Sequence, residues 1–404
     1  VFMKKLHLSL TGLCNERCLF CTKAGQGGQG ELSAAQSLRV IYAKRAEGCD
    51  TLIFDGGEPT LRPDLGALVC AAIKMGYRTI AVVTNGVALA DKSVTGRLSA
   101  CHPAATRKLD FCVSLHSHHG DISERLTGSQ ATFERTLAGL DNILEAGFSK
   151  VSVYHVITEL NYRELPQFAD FVIRRFPKVR EVTFSYIFPS GAALEHMEIY
   201  PRLSKVTPYF SAAVKKLKRA RVRVDLSACG MVPLCLLGGN EDLAVTQYLG
   251  DNSANSEIYD ATKAEPFILS SAEFSHTHKV KSRRCRACVL NEICGGIWKI
   301  YAALHGVSEL RPLKLAPASG LRKRAPVKIS AGMRAGADFI AFQEVCIRVY
   351  AARMHGYSRI IFTGNHWRDR ADMPKLMEFI NKLGLKFGPR KRKIRAIPGN
   401  SSAA

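Results

Sequence analysis

Six short runs rich in β-branched and aliphatic residues recur along the first half of the chain: Lys5–Leu10, Thr51–Asp55, Thr79–Thr84, Phe111–Leu115, Lys150–Ile157 and Glu181–Phe188. Between them lie stretches with helical spacing of apolar positions, among them Ala34–Glu47, Asp64–Met75, Ala131–Ala146, Glu164–Phe176 and Val206–Arg219. Strand and helix alternating at this interval predict an α/β fold, a parallel sheet with helices outside that curls toward a barrel. Chemistry in that architecture gathers at the C-terminal ends of the strands. Each unusual motif in the first 190 residues falls there.

The pattern then breaks. From Asp225 to Tyr301 the pieces are short, irregular and rich in cysteine, and Leu315–Pro326 has the Pro-, Ala- and Arg-rich composition of a linker. Beyond it, shifting Tyr42–Gly76 by 308 positions lays it on Tyr350–Gly384 without a gap, with 12 of 35 residues identical. Such agreement predicts a duplicated helix–strand–loop–helix unit. Glu58 has become His366, Pro59 has become Trp367, and no cysteine triplet precedes the copy, so it reads as a decayed repeat. Three regions are expected: residues 1–222 as the barrel, 223–312 as a cysteine-rich domain, and 313–404 as a basic extension resembling a repeat of 42–76.

Composition narrows the function. Of 404 residues, 47% are hydrophobic and 23% charged, which is the balance of a folded chain. No apolar run approaches the roughly 18 residues of a membrane span, and the opening Val-Phe-Met-Lys-Lys-Leu-His is too short for a secretion signal. The expected location is therefore the cytoplasm. The net charge is +22, and the stretch from Arg311 onward supplies +15 of it, with 20 Lys+Arg against 5 Asp+Glu. Its end, Pro389–Arg395, has the charge to meet RNA, an acidic peptide or a membrane surface. No RNA-binding signature accompanies it, and a solvated tail is the simpler reading.

Thirteen cysteines fall into two tight groups plus singles, a distribution that suits metal binding in a reducing compartment better than a disulfide scaffold. The first group, Cys14-Asn-Glu-Arg-Cys18-Leu-Phe-Cys21, follows directly on the first strand. Three thiolates on one loop can hold three corners of an iron–sulfur cubane. Zinc would need a fourth ligand from elsewhere. The second strand ends in Gly56-Gly57-Glu58-Pro59, where two glycines let the backbone approach a ligand closely. Of the remaining cysteines, Cys49, Cys70, Cys101 and Cys112 read as small core residues, with Cys112 the one whose strand points toward the site. His116-Ser-His118-His119, after the fourth strand near the barrel mouth, has three imidazoles that could bind metal or move protons, and a polar loop is the plainer reading.

With these motifs in hand, the chain resembles the radical S-adenosylmethionine (radical SAM) superfamily. The C-x3-C-x2-C spacing at Cys14, Cys18 and Cys21, with Phe20 before the last cysteine, is similar to that family's signature. The resemblance implies a partial (β/α)6 barrel over residues ~5–190, with S-adenosylmethionine chelating the open iron of a [4Fe–4S] cluster. It implies that Gly56-Gly57-Glu58-Pro59 receives the methionine amino group. Thr84-Asn85-Gly86 and Ser114 match positions that face the nucleoside, and Phe188-Pro189-Ser190-Gly191 also fits the family. The implied chemistry is reductive cleavage to a 5′-deoxyadenosyl radical that abstracts a substrate hydrogen atom, with an electron donor such as flavodoxin or ferredoxin.

Cys285-Arg-Ala-Cys288-Val-Leu-Asn-Glu-Ile-Cys294, with Cys235 upstream, resembles the SPASM/twitch extension of that superfamily. It implies one auxiliary [4Fe–4S] cluster held by Cys235, Cys285, Cys288 and Cys294, with Cys229 as an alternative to Cys235. A structural zinc knot is the plainer alternative. Peptide or protein maturation is the expected function. Carbohydrate or cofactor-precursor chemistry and RNA modification are the rival enzymatic readings, and a zinc-dependent nucleic-acid binder is the non-enzymatic one. No catalytic side chain on the substrate is assigned.

Overall fold

The computed structural model describes residues 4–24, 30–226, 232–244, 256–260, 267–268, 278–314, 326–332 and 342–388. It divides into two compact units, 1–314 and 315–404. The first is built on seven consecutive parallel strands: β1 (Lys4–Ser9), β2 (Cys49–Asp55), β3 (Thr79–Thr84), β4 (Leu109–Ser114), β5 (Lys150–Ile157), β6 (Glu181–Tyr186) and β7 (Arg223–Leu226). Two further strands, β8 (Ser256–Asp260) and β9 (Phe267–Ile268), extend the sheet beyond β1, giving the order β7-β6-β5-β4-β3-β2-β1-β8-β9. The six runs found in the sequence are β1–β6. The seventh strand, four residues long, is too short to stand out as a run.

The strand order explains the curl. Each of β1–β7 lies beside its predecessor, and right-handed crossovers then put every connecting helix on one face. Those helices are α1 (Ala34–Ala46), α2 (Leu65–Lys74), α3 (Lys92–Ala100), α4 (Ala105–Lys108), α5 (Gly120–Thr127), α6 (Phe133–Glu145), α7 (Leu165–Arg175) and α8 (Leu203–Arg219). The helix-facing strand residues are fully buried, for example Leu8, Phe54, Val82, Phe111, Val153 and Phe184. The alternate positions carry His7, Ser9, Asp55, Asp110, Cys112, Ser114, Ser152 and Thr183, and most of these are only half-buried. Alternation of this kind leaves the inner face of the sheet polar and accessible from the C-terminal strand ends.

The first unit continues into an antiparallel pair, β10 (Lys279–Val280) with β11 (Ile297–Trp298), and a short helix α9 (Lys299–His305). Tyr301 on α9 fixes this region to α8: its hydroxyl accepts from Leu203 N–H at 2.8 Å and donates to Glu309, which in turn accepts from Ser204 N–H at 3.0 Å.

The second unit is a three-stranded parallel sheet, β12 (Val327–Ser330), β13 (Arg359–Thr363) and β14 (Lys386–Phe387), with α10 (Phe342–Met354) and α11 (Met373–Lys382) as the crossovers. Its local geometry parallels β1–β3. In the first unit Arg62 grips Asp64 through Nε and Nη2 at 2.8 and 2.6 Å and donates to Leu10 O at 3.4 Å. In the second, Arg370 grips Asp372 at 2.7 and 2.6 Å and donates to Ala331 O at 3.1 Å. Arg45 donates to Met75 O at 3.1 Å and Arg353 to Leu383 O at 3.0 Å. The basic stretch Pro389–Arg395 lies outside the described residues.

Candidate active site

The cysteine triplet occupies the loop that leaves β1, and three neighbouring elements hold that loop in shape. The Gly-Gly-Glu-Pro turn after β2 donates from Gly57 N–H to Thr11 O at 2.6 Å and from Glu58 N–H to Leu13 O at 2.8 Å. The end of α5 accepts from Arg17 N–H at 2.7 Å and Leu19 N–H at 2.9 Å, through the carbonyls of Thr127 and Leu126. The turn after β6 donates from Ala192 N–H to Cys21 O at 2.9 Å. Two glycines make these approaches possible. A Cβ on Gly57 would lie 2.0 Å from Leu13 O, and one on Gly191, where φ is +60°, would lie 2.3 Å from Cys21 O.

Cys14, Cys18 and Cys21 are free thiols on one loop, close enough that Cys21 adds to the rise at both Cys14 and Cys18. Burial pushes Cys14 up to about 11 and Cys18 well above the ordinary thiol range, and the neighbouring carboxylates Glu16 and Glu58 add to the rise at Cys14. Sulfur ligands so placed ionise when a metal supplies the missing positive charge. Three thiols on one loop, none in a disulfide, therefore fit the cluster that the sequence resemblance implies.

Glu58 is the hub of the site. It is fully buried, and burial raises its carboxyl pKa while four protein donors oppose the rise. Those donors are Thr60 N–H at 2.9 Å, the Thr60 hydroxyl, the Thr84 hydroxyl at 2.6 Å and Asn85 N–H at 2.7 Å. Both carboxylate oxygens are thus engaged by the protein, and Glu58 ties the loop after β2 to the end of β3. Asn85 extends the tie: its Nδ2 donates to Asn15 Oδ1 at 2.7 Å and reaches Cys14 Sγ at 3.9 Å. Phe20 sets its ring edge-on to His116, centroids 4.7 Å apart. Ser114 stands at the end of β4, two and four residues beyond Cys112 and Asp110 on the inner face.

The structure adds residues that spacing alone did not single out. Glu16, between the first two cysteines, has its carboxyl pushed up to about 7, first by burial, with a hydrogen bond from Thr132 opposing. On the inner face, His7 Nδ1 lies 3.5 Å from Asp55, and Lys23 Nζ donates to Ser9 at 3.2 Å. Burial raises the Asp55 carboxyl, but His7 and Lys23 outweigh it and hold it below the usual range. Cys112 shares this face with Ser152 on β5, and burial pushes its thiol up to about 11.

The second cysteine group is assembled from separate pieces of chain. Cys285, Cys288 and Cys294 all lie in the loop between β10 and β11, and Cys235 comes from the turn Leu234–Leu236. The four line one cavity together with Leu290, Leu310 and Leu313. Backbone N–H groups of Leu313 and Gly296 donate to Cys288 Sγ and Cys294 Sγ, each at 3.4 Å. Burial pushes Cys235 up to about 11, and the three other thiols add to the rise. Cys229 lies outside the described residues. An edge-on pair of Phe188 and Trp298, centroids 5.5 Å apart, joins β11 to the turn that contacts Cys21.

Comparison with known proteins agrees with this geometry. The model of the radical SAM superfamily matches residues 8–172. The "Probable GTP 3',8-cyclase" of Saccharolobus solfataricus is 28% identical over 222 residues, 54% of this chain and 68% of that protein. The GTP 3',8-cyclase of Vibrio cholerae is 25% identical over 312 residues, 67% of this chain and 90% of that protein. Among solved structures, Streptococcus suis SuiB bound to S-adenosylmethionine has a similar fold, with a TM-score of 0.53 at 15% identity over 77% of this chain and 76% of that one. SuiB bound to its precursor peptide SuiA gives a TM-score of 0.53 at 14% identity, over 77% and 75% of the two chains. With the parallel sheet and the cysteine triplet after β1, residues 8–172 form a radical SAM superfamily domain, which together with these relatives indicates an enzyme of the radical SAM class.

Proposed function

We propose that this enzyme modifies a peptide or protein segment by radical chemistry initiated at the C-terminal end of its sheet, and that it carries one auxiliary cluster. When bound, the [4Fe–4S] cluster and S-adenosylmethionine supply the electron and the 5′-deoxyadenosyl radical that removes a hydrogen atom from substrate. Cys14, Cys18 and Cys21 are its three protein ligands. Because both oxygens of Glu58 are already engaged, the backbone of Gly56 and Gly57 receives the methionine end, while Pro59 starts the turn that holds Thr60 against Glu58. Asn85, Ser114 and Phe20 shape the nucleoside side. The polar inner face orients the substrate, and an acidic electron donor of the flavodoxin or ferredoxin kind suits a chain with net charge +22.

The observation that carries the auxiliary cluster is the convergence of Cys235, Cys285, Cys288 and Cys294 on one cavity, with backbone N–H groups aimed at two of the sulfurs. In this reading residues 223–312 form the twitch-like domain and 313–404 a decayed repeat of 42–76. Four protein ligands leave no iron open for substrate, which assigns the site to electron transfer. The peptide reading draws support from the SuiB–SuiA fold neighbour and from Asp55 at the C-terminal end of β2, a carboxylate that suits a peptide better than a triphosphate. The names of the sequence relatives favour a second reading, a nucleotide substrate.

Anaerobic reconstitution with iron and sulfide, followed by dithionite and S-adenosylmethionine, tests the core of the proposal. Deoxyadenosine should form with the intact chain and vanish when Cys14, Cys18 and Cys21 are all replaced by Ala. The same triple variant should keep about half of the iron, in the auxiliary site. Unchanged auxiliary iron after Cys235→Ala would remove Cys235 from the ligand set. Hydrogen abstraction from GTP, with none from peptides, would replace the peptide reading by the nucleotide one.

A further inference from the structure

The loop after β4 and the turn before α7 bring together two imidazoles and a carboxylate that no step above uses. His118 Nδ1 lies 3.9 Å and His119 Nε2 3.8 Å from Glu164 Oε2, and the three ligand atoms all fall within 4.8 Å of one another. We propose that His118, His119 and Glu164 form a mononuclear site for a borderline divalent transition metal, with zinc the best match.

Three observations carry this. First, the separations are wrong for direct hydrogen bonds, which close to about 2.8 Å, yet near the roughly 3.3 Å between donors on a tetrahedral zinc. A contraction of about half an ångström would bring each imidazole to that distance from Glu164 Oε2. Second, His118 Nδ1 and Glu164 Oε2 are both shielded from solvent and have no hydrogen-bond partner. Buried polar atoms are normally satisfied; here two of them face the same small space, and a cation would satisfy both.

Third, the frame is rigid. Asn161 Nδ2 donates to His116 O and to Val156 O, both at 2.8 Å, and its Oδ1 accepts from Thr158 N–H at 2.7 Å. It thereby staples the loop bearing the histidines to the turn bearing Glu164, whose own N–H donates to Asn161 O at 3.1 Å. His119 N–H is held by the Ser117 hydroxyl at 3.0 Å. Supporting hydrogen bonds of this kind fix ligand orientation in metal sites.

Two imidazoles with one carboxylate select zinc and its neighbours over magnesium or calcium, which prefer all-oxygen shells. Three protein ligands leave a position open on the side where His119 is 52% exposed, so water or a carboxylate could complete the shell. The site rests on no radical step, so it stands or falls apart from the proposed function.

The test is zinc binding by the reconstituted holoenzyme in equilibrium dialysis, with iron and zinc counted separately and X-ray absorption recorded at the zinc edge. The expected result is one zinc per chain with a nitrogen and oxygen shell. Binding should weaken at least tenfold in Glu164→Gln and be lost in the His118→Ala/His119→Ala pair, with iron content and melting temperature kept. A Ser117→Ala variant, which leaves all three ligands in place, should retain the ion and bind it more weakly. Sulfur in the zinc shell would place the ion in a cysteine site and overturn the proposal. So would zinc retention in both ligand variants, or no zinc bound by the parent chain.

Discussion

At the scale of single residues, the site depends on close approaches that tolerate no extra atom. Gly57→Ala would set its Cβ against Leu13 O, and relieving that clash must move the cysteine loop. Deoxyadenosine formation should fall by at least about tenfold, since a displacement of order 1 Å in a catalytic frame costs that much or more. Circular dichroism should remain that of a folded chain. The Arg62–Asp64 pair gives a pH prediction. The hydrogen bonds from Arg62 hold the Asp64 carboxyl below its ordinary value, so the pair stabilises the fold above the unfolded pKa and loses that contribution as pH falls through the folded one. The stability difference between the parent chain and Asp64→Asn should therefore be constant near neutrality and shrink below about pH 4. A difference that grows on acidification would contradict the assignment. Much of this scale was legible in the sequence, because the triplet and the Gly-Gly-Glu-Pro turn are local and announce themselves by spacing. Glu16 was not legible as a site, and in the His118–His119–Glu164 group the histidines were noticed while Glu164 was not. Their character comes from burial and from partners distant in sequence, 46 residues apart for His118 and Glu164 and 116 for Glu16 and Thr132.

At the scale of elements, the strands and long helices follow from periodicity, while the short connectors follow from context. Helix α5 begins with Gly120 and carries mostly polar residues, so its pattern is faint, yet its last turn supplies two of the carbonyls that hold the cysteine loop. The brace between α8 and α9 is another contextual element. Tyr301→Phe would strip Leu203 N–H and Glu309 of a buried partner, and the expected cost is about 1–3 kcal/mol. The melting temperature should drop, and the auxiliary cluster proposed for Cys235, Cys285, Cys288 and Cys294 should lose iron to a chelator faster than in the parent. A variant that melts and holds iron like the parent would show that the brace is dispensable.

At the scale of the whole molecule, the two compact units offer a direct experiment. The first unit contains the cysteine triplet, the inner face of the sheet and all four cysteines of the second group. A chain ending at Lys314 should therefore fold and produce deoxyadenosine at a rate within about threefold of the parent, a change under 1 kcal/mol in barrier. Loss of cleavage would show that residues 315–404 complete the catalytic fold. The sequence by itself determined the alternation of β1–β6 with their helices, the spacing of the first cysteine group after β1 and the likeness of 350–384 to 42–76. Those features are written in neighbouring residues, where period, spacing and identity can be read directly. Only the tertiary structure decided that the end of α5 braces the cysteine loop, that Glu58 spends both oxygens on its own protein, and that Cys235 joins three cysteines some fifty residues away. Each of these depends on long-range contacts, and burial and pairing across such distances leave no periodic trace along the chain.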